Sequence, residues 1–354
     1  MLYYSEKITQ TLLHPYQLSA DICLKNRIVM APVTRCFADE KLTPTAEMAA
    51  YYEKRAEAGL IITEATIVRP DGQGYPNVPG IFNKEQIDGW QRVTDKVHAG
   101  GGQIFLQLWH VGRLSHPVYL QGNKPVAPSA ISAQGSIARR RDVEYETPRA
   151  LLIEEIPQLV DAFGRAAENA QRAGFDGVEI HGANGYLVDQ FLHYFTNHRD
   201  DAWGGSVENM TRFALAVLDA VIRAIGKTRV GIRLSPGAYH QMQEDQRDPS
   251  VFKHLLTQIE ARDIAYVHTG IFDDAMRFPS LGGTVTAFLR RYYAGNLVGC
   301  GGYTLNSAAR AIAAKRFNLV AFARSFVANP DLIKKIHNNQ PLEKFEVSML
   351  KELN

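Results

Sequence analysis

Within six residues, His181-Gly-Ala-Asn184-Gly-Tyr186, this chain sets an imidazole, a carboxamide and a phenol. They follow Gly177-Val178-Glu179-Ile180, a short apolar run that reads as a buried strand. A site that must hold an oxygen and also deliver a proton needs such donors together at one strand end. His181 alone would more often be a hydrogen-bonded core histidine. The cluster makes the chemical reading the stronger one.

Apolar runs of strand length recur along the 354 residues, at 27–33, 60–65, 103–110, 177–182, 230–236, 265–270, 296–302 and 319–325. Their hydrophobicity is continuous rather than alternating, which suits strands covered on both faces. Helical stretches lie between them. Thr43-Pro44 is expected to cap and open one, and Asn83 with Gln86 to form a capping box for the next. Ser206 precedes an apolar stripe of period 3.6, and Asp248-Pro249 and Asn329-Pro330 are expected to start two more helices. Eight strands alternating with helices predict an α/β fold, a (β/α)8 TIM barrel. Residues 111–150, rich in Pro, Ser and Arg, read as a long insertion after strand three. No linker interrupts the pattern, so residues 1–354 are expected to form a single domain.

The overall composition excludes several function classes. Thirty-nine Lys plus Arg against 37 Asp plus Glu leave a net charge of +2, too balanced to argue for nucleic acid or an anionic membrane. Cys23, Cys36 and Cys300 are widely spaced, which indicates neither a disulfide framework nor a metal site. No window approaches a membrane span and no signal-like segment opens the chain, so a cytoplasmic location is expected.

In a barrel of this kind chemistry belongs at the C-terminal ends of the strands. Strand seven ends in Gly301-Gly302, and Arg324 follows strand eight. Glycines that let amides approach an anion, with an arginine one strand over, would make a phosphate cup. The plainer alternative is a turn and a surface ion pair. Arg233 stands inside an apolar strand and needs an acceptor, either a ligand or an internal carboxylate such as Glu64 or Glu179. Gln107 and Trp109, near the end of strand three, would by themselves be a core amide and a packing residue. Their convergence on one end of the barrel favours a site.

These segments carry a resemblance across nearly the whole chain. Met-Ala-Pro-Val-Thr-Arg at 30–35, Ile-Thr-Glu-Ala-Thr at 62–66, Leu-Gln-Leu-Trp-His-Val-Gly-Arg at 106–113, residues 181–191, 203–209, 230–236 and 322–331 resemble the old yellow enzyme family. The resemblance implies an FMN-dependent ene-reductase that takes hydride from NADPH or NADH and reduces the C=C bond of α,β-unsaturated carbonyl compounds. It implies that Pro32, Val33, Thr34, Ala65, Gln107 and Arg233 contact the flavin ring, while Gly301, Gly302, Ala323 and Arg324 hold its phosphate. His181 and Asn184 would donate to the substrate carbonyl, Tyr186 would supply the proton, and Trp109, Tyr75, Phe272 and Phe278 would shape the pocket. A monomer or homodimer is expected.

Two departures from the family pattern stand out. Ala323 replaces the usual glycine, which predicts weaker FMN binding. Residues 342–354 lack the usual tail with its pocket tyrosine, which predicts a pocket open on that side or altered subunit contacts. Rival readings are weaker. An aldolase-like barrel wants a Schiff-base lysine at a strand end, and Gly226-Lys227-Thr228 lacks the upstream glycine of a P-loop. A flavin-binding barrel with little turnover, or a nitro-compound or xenobiotic reductase, remains the alternative.

Overall fold

The computed structural model describes residues 4–354. Eight parallel strands close on themselves: β1 (Ile28–Met30), β2 (Leu60–Ile62), β3 (Ile104–Trp109), β4 (Gly177–Gly182), β5 (Val230–Leu234), β6 (Tyr266–Thr269), β7 (Leu297–Gly299) and β8 (Leu319–Phe322). Each pairs with the next, and β8 pairs with β1 through Phe322 and Met30 to complete the barrel. The outer layer is α1 (Ala46–Glu53), α2 (Lys84–Ala99), α3 (Glu155–Arg172), α4 (Val207–Ile225), α5 (Asp248–Arg262), α6 (Val285–Tyr292), α7 (Leu305–Ala313) and the short α8 (Arg324–Ala328). All eight sequence-expected strands are present, each within its expected span. Several stop early at the C-terminal end, where the chain leaves the sheet to build loops.

Side chains alternate between two cores, as the pleat requires. One set, including Ile61, Leu106, Ile180, Ile232 and Val320, packs outward against the helices. The other, including Val29, Leu60, Phe105, Tyr266, Val298 and Leu319, fills the barrel interior. Phe105 and Tyr266 stack there at 6.0 Å between ring centroids. They fit because Gly177 and Gly231 leave the space: a Cβ on either would come within 2.4 Å of those rings. At the N-terminal face, a small hairpin (Tyr16–Gln17 with Cys23–Leu24) adds Leu18, Ile22 and Leu24 to the interior core. Asn296, just before β7, ties it down by donating to the Leu18 carbonyl at 2.7 Å. That end is therefore plugged with apolar groups, and the interior opens only toward the C-terminal mouth.

Two capping expectations need correction. The α1 cap is Thr45, whose hydroxyl accepts from Met48 N–H, and not Thr43. Asn83 does cap α2, accepting from Gln86 N–H at 2.9 Å. Gln86 does not return the bond to Asn83. It accepts instead from Phe82 N–H and donates to the Lys41 carbonyl. Asp248-Pro249 opens α5 as expected, whereas the helix beyond Asn329-Pro330 starts at Leu332. Within the insertion, Val126–Ala127 and Arg149–Ala150 pair as a short two-stranded sheet.

Candidate active site

The barrel register brings the polar residues of neighbouring strands side by side. His181 of β4 is level with Arg233 of β5, and Arg233 with His268 of β6. Gln107 of β3 is level with Glu179 of β4. Below the mouth the Glu179 carboxylate is held from two sides. Glu179 accepts from Gln107 Nε2 at 2.7 Å and pairs with His268 Nδ1 at 2.8 Å. Burial opposes both charges, yet the pair prevails: Glu179 is held below its ordinary range and His268 above its own.

The next layer up is unsatisfied. Arg233 is 8% exposed, pairs with no carboxylate among the described residues, and its Nε is buried without a partner, while Nη2 lies 3.9 Å from Cys300 Sγ. Neither Glu64 nor Glu179 pairs with it, so the internal ion pair weighed from the sequence does not form. His181 is 4% exposed and its Nδ1 also lacks a partner. Burial, then the nearby charges of Arg233 and His268, hold its imidazole well below the usual histidine range, so it is neutral at pH 7.

Asn184 and Gly185 both take the left-handed conformation, with φ of +60° and +76°. Asp189 holds that turn by accepting from Gly185 N–H at 2.8 Å, and Gln190 holds it by donating to the Gly185 carbonyl at 2.7 Å. Behind them His193 lies between Asp189 and Asp248. Burial works against its charge, but the two carboxylates push His193 up to about 10. The Asn184 carboxamide is oriented by its hydroxyl neighbours. Its oxygen accepts from Tyr239 Oη at 2.6 Å, with Ser235 Oγ 3.2 Å away, which leaves the NH2 group to face the cavity. Tyr186 stands edge-on to both His181 and Trp109, each at 4.9 Å, with its hydroxyl 2.9 Å from that of Tyr75. Burial first and the Tyr75 contact next keep the Tyr186 phenol protonated well above 10.

Beside these groups lies a cavity of about 550 Å³ lined by Pro32, Val33, Arg233, Gly301, Gly302 and Ala323 among others, a size suited to a cofactor. Gly301 (φ +110°) could not carry a side chain, since its Cβ would come within 2.7 Å of Asp274 N. Arg324 is exposed and makes no ion pair or hydrogen bond among the described residues, so the surface pair is absent there too. A buried guanidinium that faces no carboxylate at one end, and a glycine cradle with an unpaired arginine at the other, suit a flavin mononucleotide.

The structure brings most of the expected residues together. Trp109 is fully buried, 6.4 Å from His181 and nearly parallel to it. Ala65 packs in the same cluster as Trp109 and Tyr186, with Tyr75 beside them. Thr34 is partly exposed, and its carbonyl accepts from Arg139. Phe272 lines the cavity and is 60% exposed. Phe278 does not belong: it is buried against Gly237 and Val285 in the outer core. Tyr239 and Ser235 were missed. They follow the end of β5, where Ser235-Pro236 marked the strand end, but no spacing pointed from them to Asn184.

Comparison with known proteins agrees with this geometry. Residues 11–343 match the family described as NADH:flavin oxidoreductase / NADH oxidase. The chain belongs to that family, the old yellow enzymes. It is 42% identical to a probable flavin mononucleotide-dependent alkene reductase of Leishmania infantum, covering 91% of this chain and 89% of that one. It is 40% identical to the 12-oxophytodienoate reductase 7 of Oryza sativa subsp. japonica, over 94% and 89%. Among solved structures, the old yellow enzyme homologue of Zymomonas mobilis superposes with a TM-score of 0.90 at 39% identity, covering 96% of each chain. Morphinone reductase in complex with tetrahydroNAD gives 0.88 at 39% identity, over 96% and 93%.

Proposed function

We propose that residues 1–354 act as one FMN-dependent ene-reductase in which His181 and Asn184 grip the oxygen of an α,β-unsaturated carbonyl compound and Tyr186 completes the reduction with a proton. One observation carries this reading. The Asn184 oxygen is occupied by Tyr239, so the carboxamide offers only donors, next to a neutral His181 that lacks a partner on Nδ1. Neutral donors three residues apart at the end of one strand, with Asn184 on the cavity wall, suit an oxygen that gains charge during reaction.

Pro32, Val33, Thr34, Ala65, Gln107 and Arg233 would hold the FMN ring, and Gly301, Gly302, Ala323 and Arg324 its phosphate. Gln107 gives its N–H to Glu179, so its oxygen remains as an acceptor. Bound there, FMN would supply the hydride chemistry that links NAD(P)H to the electron-poor alkene. Arg233 contributes a permanent cation that no internal carboxylate neutralises. His181 and Asn184 draw electron density from the substrate carbonyl, and their bonds strengthen as the oxygen becomes enolate-like. Tyr186 keeps its proton until the adjacent carbon accepts it, and Tyr75 can follow with its own through the shared hydrogen bond. A flavin store would need none of these donors.

Nicotinamide and alkene would use the same mouth in turn. Initial rates with NADPH and 2-cyclohexenone should give parallel double-reciprocal lines, the ping-pong pattern. Intersecting lines, requiring both substrates bound together, would contradict the shared site. We further place the enzyme in the cytoplasm and expect it to accept NADPH. Among the described residues no helix is long and apolar enough to cross a membrane.

A further inference from the structure

The segment from Leu342 onward departs from the family pattern, yet it closes the side expected to be open. Phe345 and Leu350 line the same cavity as Pro32, Arg233 and Gly301. Phe345 also lines a second cavity of about 360 Å³ on the far side of Tyr303 and Arg324, so its ring divides the two spaces.

The segment is anchored at both ends. At one end fully buried Asn329 donates to the Glu343 carbonyl at 3.1 Å and accepts from Glu343 N–H at 2.9 Å. At the other, Arg35 donates through Nη2 to the carbonyls of Met349 and Glu352. Arg35 is 1% exposed, makes no ion pair among the described residues, and its Nε lacks a partner. The Tyr51 ring lies 4.9 Å from its guanidinium. A buried guanidinium is unfavourable without acceptors, and among the described residues the C-terminal carbonyls are the only ones its side chain finds. Arg35 follows Thr34 directly, so the same stretch of chain borders the cofactor cavity and grips the C-terminal segment.

We propose that residues 343–352 form a strap across the outer wall of the FMN cavity, latched by Arg35, and that this strap sets how slowly FMN leaves the protein. The inference rests on the FMN reading above. With both anchors in place, Phe345 and Leu350 shield the cavity from water. Without the latch, the strap keeps its Asn329 anchor but loses the buried guanidinium that holds residues 349–352, and its apolar side chains lose their fixed position over the cavity.

The test follows free FMN fluorescence after dilution of the holoenzyme, with FMN titration and a melting curve of each apoprotein alongside. Arg35→Met removes the latch, and the double variant Phe345→Ala/Leu350→Ala strips the strap without touching the barrel. Val347→Ala, on a side chain 75% exposed, is the control. FMN release should be at least about tenfold faster in the first two, corresponding to roughly 1.4 kcal/mol of lost retention, and unchanged in the control. Release within twofold of wild type from the double variant, whose barrel is intact, overturns the strap. A wild-type chain that takes up no FMN overturns the functional reading, and this inference with it.

Discussion

His268 and His181 occupy adjacent layers of one barrel, and both are buried. They end in opposite states because of what faces them. His268 meets Glu179 at 2.8 Å, and the charged form is favoured. His181 meets Arg233 across the register and no carboxylate, and the neutral form is favoured. The same contrast holds for the two regions as wholes. In the lower layer the Glu179 carboxylate is bonded by both Gln107 and His268, and in the upper layer Arg233 and His181 face no carboxylate and each keep a buried ring or guanidinium nitrogen without a partner. Burial is shared by both, so burial alone marks neither as a site. What marks the mouth is polar capacity that the fold leaves unspent, beside a space that a ligand could fill.

The largest test of that contrast is Tyr186→Phe. General acid catalysis contributes about 10²–10⁴-fold, so alkene reduction should fall by that order while reduction of the bound flavin by NADPH stays near wild type. Equal loss in both half-reactions, measured by anaerobic stopped flow, would show that Tyr186 is not the proton donor. His181→Ala removes one oxyanion donor and should cost about 10²–10³-fold in alkene reduction. A loss below about fivefold would mean that the unpartnered imidazole does not touch the substrate.

Tyr239→Phe sharpens the comparison, because it converts a satisfied group into a loose one. Losing one neutral hydrogen bond is worth about 0.5–1.5 kcal/mol. We expect a fall of roughly 2–13-fold in kcat/KM for the enone, the same energy expressed as a rate ratio, with FMN affinity unchanged. Weaker FMN binding in that variant would place Tyr239 in the cofactor site instead.

The smallest effect is on stability against pH, and its sign differs between the two histidines. His268 has a folded pKa above its unfolded value of 6.5. Its contribution is complete below that pH and disappears as pH rises through the folded value. His181 has a folded pKa well below 6.5, so the unfolded chain binds the proton first and stability declines as pH falls under 6.5. Melting curves of His268→Asn and His181→Asn across pH 5–9 should therefore diverge. Relative to wild type, the first should lose most stability at low pH and the second should gain there. Parallel curves would show that the two sites do not differ in proton affinity.

Much of this was legible in the chain. Eight apolar runs gave the barrel, because parallel strands covered on both faces leave no polar alternation to confuse the pattern. The strand-end motifs gave the site, because a barrel gathers those ends. The rest depended on contacts between distant segments. Thr43 and Thr45 are equally good caps on paper, and the turn from Asp39 to Thr43 decides between them by bonding the Thr43 backbone. Phe278 resembles Phe272 in type, and only packing against Gly237 separates wall from core. Tyr239 lies 55 residues from the Asn184 it orients. Residues 342–354 carried no motif at all, and their role rests on one buried arginine more than three hundred residues earlier in the chain.

The central claim is that the open mouth of this barrel joins a bound flavin to hydrogen-bond donors aimed at an electron-poor alkene. The visible spectrum of the purified protein tests it most directly. Without oxygen, NADPH should bleach a flavin band, and 2-cyclohexenone should restore it as the alkene is reduced. A folded protein that is colourless and takes up no FMN, or whose bleached flavin stays bleached when the enone is added, would contradict the account.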